Sequence, residues 1–240
     1  MLSLERQNAL REVYRQTHPG WRPATEVYAG LVREHLRPSV RLLDLGCGRG
    51  GLVEQLAHPL HQMVGVDPDF ASLVEHRLLL PRAAGQTTAL PFAPNCFDLI
   101  LASWVLEHLA EPQRAWREIG RVLRPGGHLV FITPNRRHPL VQMNRLLGRV
   151  GWLQGRLVRR LYGRAAVDTF PAYYRANTAG GLVRLATTAG LQVMSVQTIA
   201  DPTYWAWHLA LFRLAGAVEA WLPAGWGIHL VGVMQKAETP

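Results

Sequence analysis

The chemistry-bearing feature of the first third of the chain is a pair of acids, each closing a short apolar run. Leu42-Leu43-Asp44-Leu45 leads into Gly46-Cys47-Gly48-Arg49-Gly50-Gly51, and Met63-Val64-Gly65-Val66-Asp67 follows. Glycine lets a backbone take positive φ or approach a ligand closely, and a helix start after such a turn presents N–H groups to an electron-rich partner. A nucleotide-like ligand suits this arrangement. Gly46, Gly48 and Gly51 fit G-x-G-x-x-G, the dinucleotide pattern, and Asp67 fits the acid that accepts ribose hydroxyls. Asp44 points elsewhere, because a carboxylate two residues before the first glycine repels a pyrophosphate and suits a ligand carrying an ammonium and a sulfonium. The plain structural alternatives are a turn that only packs a helix on a strand and an acid that only caps the next helix.

Asp44, Gly46, Gly48 and Gly50 also spell D-x-G-x-G-x-G, which resembles motif I of the class I S-adenosylmethionine-dependent methyltransferases. Further blocks resemble the same family in the same order: Gln86-Thr87-Thr88-Ala89-Leu90-Pro91-Phe92 with Phe97-Asp98, then Val105-Leu106-Glu107-His108, then Leu123-Arg124-Pro125-Gly126-Gly127. The likeness covers residues 40–135 and is similar to the small-molecule, type 11 branch. It implies S-adenosylmethionine as cofactor, with the amino acid part on Asp44, Gly46, Cys47, Gly48 and Gly50 and the ribose on Asp67 beside Pro68. Gln86 and Thr87 would meet the adenine, Leu90 would wall it, and Ser103 would stand where the fourth strand meets the cofactor. The family has an acid where this chain has Gln86; an amide oxygen still accepts from the adenine amine, through a weaker contact. Methyl transfer is an in-line displacement that mainly needs alignment. A hydroxyl or ammonium acceptor must also lose a proton, and His108, ordinarily titrating near pH 6.5, is the residue suited to take it. A structural histidine at a helix start is the alternative. No metal ligand set is expected.

Bringing these residues to one edge requires alternating strands and helices. Apolar runs predict strands at 41–46, 62–67, 84–89, 97–102, 128–133, 191–199 and 229–236, with helices at 51–57, 69–79, 111–122 and 179–189. The expected fold is α/β: a Rossmann-like, mostly parallel seven-stranded sheet with helices on both faces, the last strand antiparallel, plus helical cap insertions. Ligands of such sheets bind beyond the carboxyl ends of the strands. Residues 1–35 read as helix broken near His18-Pro19-Gly20, a lid over the cofactor by resemblance, although packing alone explains the pattern equally well. The whole chain, 1–240, is expected to be one domain: lid 1–35, cofactor core 36–135, basic cap insertion 136–178, core completion 179–199 and 229–236, and apolar insertion 200–228. At 48% hydrophobic, 240 residues can bury a sizeable core. Cys47 and Cys96 are expected in ligand-side loops, with no disulfide or zinc pattern. Glu5, Arg6, Arg11 and Glu12 in the first turns exclude a secretory signal, so a cytoplasmic protein is expected.

Acceptor choice falls to the insertions. The net charge of +9 is local, since eight arginines and no acid lie between Arg136 and Arg164. At about 100° per residue, Met143, Leu146, Leu147, Val150, Leu153, Leu157 and Leu161 form one arc and Arg145, Arg149, Arg156, Arg159 and Arg160 another. With Trp152, this basic amphipathic pattern suits an anionic membrane surface or a negatively charged acceptor, and a solvated cap helix explains it as well. Asn135, Tyr174 and Arg175 are candidate acceptor contacts. Residues 204–222 are apolar on nearly every side, but His208, Arg213 and Glu219 interrupt them, so a membrane span of roughly 20 apolar residues is not met. Trp205, Trp207, Trp221 and Trp226 favour an apolar or lipid-like small acceptor over a sugar or nucleotide. Nucleic acid is disfavoured: no N-P-P-Y, D-P-P-Y or Pro-Cys element follows the fourth strand, and no aromatic platform is evident. Two rival readings stay open, an NAD-linked oxidoreductase and a non-catalytic, cofactor-binding membrane adaptor. Oligomeric state is not legible.

Overall fold

The computed structural model describes residues 4–148, 170–205 and 225–238, together with positions 212, 214, 216, 219 and 221–223. Two helices, α1 (Leu4–Thr17) and α2 (Ala24–His35), precede the sheet. The strands are β1 (Leu42–Leu45), β2 (Met63–Asp67), β3 (Arg82–Ala84), β4 (Phe97–Ser103), β5 (Leu123–Pro134), β6 (Leu191–Ile199) and β7 (His229–Lys236). They form one seven-stranded sheet in the order β3-β2-β1-β4-β5-β7-β6. β1 to β5 run parallel, while β7 runs antiparallel between β5 and β6. The remaining helices are α3 (Phe70–Val74), α4 (Pro112–Val122), α5 (Pro139–Gly148) and α6 (Ala179–Thr188).

Side-chain alternation along each strand divides the core into two layers. Leu43, Leu45, Ile100, Ala102, Leu129 and Phe131 meet α4 through Ala115, Trp116 and Ile119, and α6 through Leu182, Leu185 and Ala186. On the other face Leu42, Leu99, Leu101, Val130, Ile132, Val231 and Val233 meet Val27, Tyr28 and Val32 of α2. Asp44, two residues after Leu42, therefore belongs to the α2 face. That places the first acid under the N-terminal helices.

Several local expectations are corrected. The segment 51–57 makes only a 3-10 turn, Leu52–Gln55, because Leu56 is already extended. Helix 69–79 shortens to α3, capped by Asp69, whose carboxylate accepts from Ala71 N and Ser72 N. The chain then leaves the helix, and Arg77 N donates to Arg49 O at 3.0 Å. The third strand lies at 82–84 rather than 84–89, since residues 86–89 close a tight turn. β5 starts early: Leu123 pairs with Phe97, residues 124–127 bulge, and pairing resumes at Leu99 with His128. Cys96 precedes β4 and so sits at the amino edge of the sheet, opposite the ligand side expected for it. Of the basic arc, Arg145 lies on α5; Arg149, Trp152, Arg156, Arg159 and Arg160 lie outside the described residues.

Candidate functional site

The glycine turn is held by its neighbour strand. Gly46 N and Cys47 N both donate to Val66 O, at 2.8 and 3.2 Å. Gly46 has φ +70°, and a Cβ there would come within 2.4 Å of a Val105 methyl, so both backbone and space require glycine. Gly48 also has positive φ, +48°, but faces open space. Its N–H donates to Asp67 Oδ2 at 2.9 Å, and Asp69 N donates to Asp67 Oδ1 at 2.8 Å. Asp67 thus orders the turn while each of its oxygens keeps a lone pair for a hydroxyl. The helix start expected to present N–H groups is replaced by this carboxylate-tied turn.

Between α2 and the sheet edge lies a cavity of about 740 Å³. Asp44, Gly46, Cys47, Gly50 and Ser103 line it, together with Trp104 and Ile132; α2 and the residues before it supply Arg22, Glu26, Tyr28 and Arg33. Asp44 is 7% exposed, and its carboxyl is raised from 3.8 to about 7, first by burial and then by the Asp67 charge. The Tyr28 hydroxyl is buried without a hydrogen-bond partner and is likewise raised, by burial and then by Asp44. Burial first, then the two acids, pushes the Cys47 thiol up to about 12, so Cys47 is a small wall residue and not a nucleophile. The site is an open cleft with a buried acid, Asp44, and two exposed guanidinium groups, Arg22 and Arg33, in its lining.

Other expected residues are placed as follows. Pro68 and Gln86 are exposed, and Thr87 is half-buried in the turn after β3. Leu90 is 5% exposed within the α4-side core, and its N–H donates to Glu118 while its carbonyl accepts from Arg121. It packs as core instead of as an open adenine wall. His108 does not line the cavity; its Nδ1 is 3.0 Å from Pro171 O, which leaves Nε2 unprotonated in the neutral ring, and burial lowers its pKa. Asn135 is fully buried and saturated: Nδ2 donates to Gly225 O and Gly227 O, and Oδ1 accepts from Arg137 N. Its amide braces the loop before β7 and is closed to an acceptor. Tyr174 is buried with φ +51°, and Arg175 is exposed, donating to Ala110 O and stacking over Tyr173.

Glu107 was legible only as part of the V-L-E-H block. It is 5% exposed, and burial raises its carboxyl to about 7. Thr133 Oγ1 donates to Glu107 Oε2 at 2.9 Å, Asn177 Nδ2 donates to Thr133 Oγ1 at 2.5 Å, and Tyr173 N and Tyr174 N donate to the Glu107 carbonyl. Arg22, Tyr28, Arg33 and Trp104 were not singled out. The only sequence signal of Arg22, Tyr28 and Arg33 is a place on or beside a helix, and that of Trp104 is its place directly after Ser103 at the end of β4.

Residues 43–131 match the methyltransferase-domain family. The malonyl-[acyl-carrier protein] O-methyltransferase of Legionella pneumophila is 36% identical over 39% of this chain and 36% of its own length. The demethylmenaquinone methyltransferase of Mycolicibacterium paratuberculosis is 34% identical over 48% of this chain and 50% of its own. The chain thus spans half or less of the length of these relatives. The crystal structure of an S-adenosylmethionine-dependent methyltransferase from Methanosarcina mazei shares the fold, with a TM-score of 0.60 and 16% identity over 87% of this chain and 98% of that one. A parallel sheet closed by an antiparallel β7, a motif I turn at its carboxyl edge and the match over residues 43–131 together give this chain the fold of S-adenosylmethionine-dependent methyltransferases and a likeness to their domain family.

Proposed function

We propose that the chain transfers a methyl group from S-adenosylmethionine to oxygen or nitrogen of a small, apolar or lipid-like acceptor. The observation that carries this reading is Asp44: a carboxyl buried beside a second acid, in a cavity that also holds two arginines. Such a carboxyl is costly to ionise alone and is stabilised by a cationic partner. An ammonium and a sulfonium meet that need, and a pyrophosphate does not. The residues fit the cofactor. Asp44 with the turn at Gly46, Cys47, Gly48 and Gly50 would hold the ammonium end, Arg22 and Arg33 the carboxylate end, and Asp67 beside Pro68 the ribose. Gln86 and Thr87 would meet the adenine, and Ser103 would border the sulfur. The bound cofactor supplies an electrophilic methyl group.

The chain's own task is to align the acceptor and exclude water. His108, anchored through Nδ1 and with Nε2 4.0 Å from Glu107 Oε1, would take the acceptor proton, and Tyr174 and Arg175 would contact the acceptor. The relatives named for demethylmenaquinone and malonyl-[acyl-carrier protein] support a lipid-like acceptor. Isothermal titration of the chain with S-adenosylhomocysteine and with NADH tests the cofactor. The expected result is binding of the first with micromolar affinity and none of the second; saturation by NADH with no heat from S-adenosylhomocysteine would reverse the assignment to an oxidoreductase.

A further inference from the structure

A second group of buried polar side chains lies beside the cavity. His229, the first residue of β7, pairs with Pro134 and Ile199 and is 3% exposed. Ile132, two residues before Pro134, lines the cavity and pairs with Val231. Alternation puts His229 on the same face as Ile132, nearer the ligand edge. The residue between His229 and the cavity is Trp104, a lining residue whose ring stands edge-on to the imidazole at 5.1 Å.

The imidazole is held on one side only. Nε2 lies 3.1 Å from the Tyr204 hydroxyl, and Nδ1 is buried with no hydrogen-bond partner. Buried polar atoms are nearly always paired, so an orphan beside a ligand cavity marks a contact that a ligand completes. Trp104 has φ +58°, the left-handed region that a bulky residue rarely adopts. Strain of this kind collects at positions that move or bind. The support is otherwise firm: Asn135 N donates to Ile228 O at 2.7 Å, and the Asn135 amide ties Gly225 and Gly227.

Burial holds the imidazole down at about 4, with Asp201, Arg11 and His138 as its charged or titratable neighbours. Arg11 and Asp201 pair with each other at 3.0 Å, and His138 lies 3.0 Å from Glu219. His229 is therefore uncharged across the physiological range. A neutral ring offers no countercharge to a carboxylate, phosphate or ammonium, whose burial there would be costly. A hydroxyl donates and accepts, so it fits either tautomer. Trp104 and Tyr204 supply flat apolar walls.

We propose that His229, oriented by Tyr204, is the residue that binds the acceptor's head, an uncharged hydroxyl on an apolar body, through Nδ1 once the Trp104 ring swings aside. The inference rests on the methyltransferase reading and names the acceptor class for that site. Protein labelled with 15N-histidine and saturated with S-adenosylhomocysteine is titrated with 2-naphthol, and separately with naphthalene, by NMR. The His229 signals are identified by their loss in His229→Gln. 2-Naphthol is expected to shift the Nδ1 signal and naphthalene to leave it in place. His229→Phe is expected to weaken 2-naphthol at least about tenfold while S-adenosylhomocysteine affinity stays within about twofold. An unmoved Nδ1, absence of 2-naphthol binding, or equal affinity in His229→Phe overturns the proposal. If His229→Phe does not fold, the wild-type contrast between the two probes decides. Lack of S-adenosylhomocysteine binding would instead strike the cofactor assignment, and the same titration of the free protein would still report on His229.

Discussion

Asp44 and Asp67 lie on adjacent parallel strands, and β1 and β2 are locked in register by Leu42 with Met63 through Leu45 with Val66. Burial first, and then the Asp67 charge, lets Asp44 keep its proton up to about pH 7. Asp44 is raised to about 7 from 3.8, so between these values the folded chain holds a proton that the unfolded chain has released. Stability of the free protein therefore falls as pH rises through that window and levels off above it. Glu107, raised to about 7, adds a slope of the same sign. Asp44→Asn is expected to raise the melting temperature of the free protein at pH 8 and to flatten the slope between pH 5 and 7.5, read by scanning calorimetry. The same substitution should weaken S-adenosylmethionine binding by about a hundredfold, the loss of a buried charge pair. In the wild type that affinity should rise toward pH 8 as Asp44 ionises. A wild-type affinity that falls over this range would remove Asp44 as the ammonium partner. Gly46 and Gly48 give a second contrast. Gly46→Ala meets both positive φ and the Val105 methyl, and is expected to cost more than about 2 kcal/mol in urea unfolding, against about 1 kcal/mol for Gly48→Ala, which meets only the φ penalty.

At the level of elements, the strand ends were legible because an apolar run that stops at an acid has few other meanings in a parallel sheet. The positions of β6 and β7 followed from their apolar runs, and these strands and the expected antiparallel last strand hold in the structure. Short helices were overestimated, since periodicity cannot see that Arg77 is tied to Arg49 or that Leu56 is already extended. Side-chain roles were less legible than elements. Asn135 reads as an open polar residue until the Gly225 and Gly227 carbonyls are brought to it. Likewise Leu90 reads as an adenine wall until the fold buries it in the core cluster that holds Phe97 and Trp116. His229 carried no motif at all. The Glu107, Thr133 and Asn177 chain links the 3-10 turn Leu106–His108 after β4, the end of β5 and the segment entering α6. Thr133→Val removes its middle member and leaves the buried Glu107 carboxyl unmatched, while the Asn177 amide keeps Pro134 O as acceptor. A loss of about 1–3 kcal/mol is expected in chemical denaturation, with a wild-type midpoint counting against a structural role for the network.

For the whole molecule, the net charge of +9 is unevenly spread. The arginine excess of residues 136–164 has no acid among it. Among the described residues no helix is long and apolar enough to cross a membrane. We propose peripheral contact with anionic lipid through Arg145, Arg149, Arg156 and Arg160. Changing these four to glutamine is expected to abolish sedimentation with phosphatidylglycerol vesicles at about 0.1 M salt, where surface attraction is still felt over roughly 10 Å. Unchanged sedimentation would leave the arginines as a solvated face. The order of the strands has its own consequence. β7 sits between β5 and β6, so β6 has no partner until residues 229–236 emerge from the ribosome. A nascent chain halted before Ile228 carries two open strand edges with nothing between them. Such a chain is a target for chaperones or for self-association, and the sheet becomes a cooperative unit only once residues 229–236 have been made.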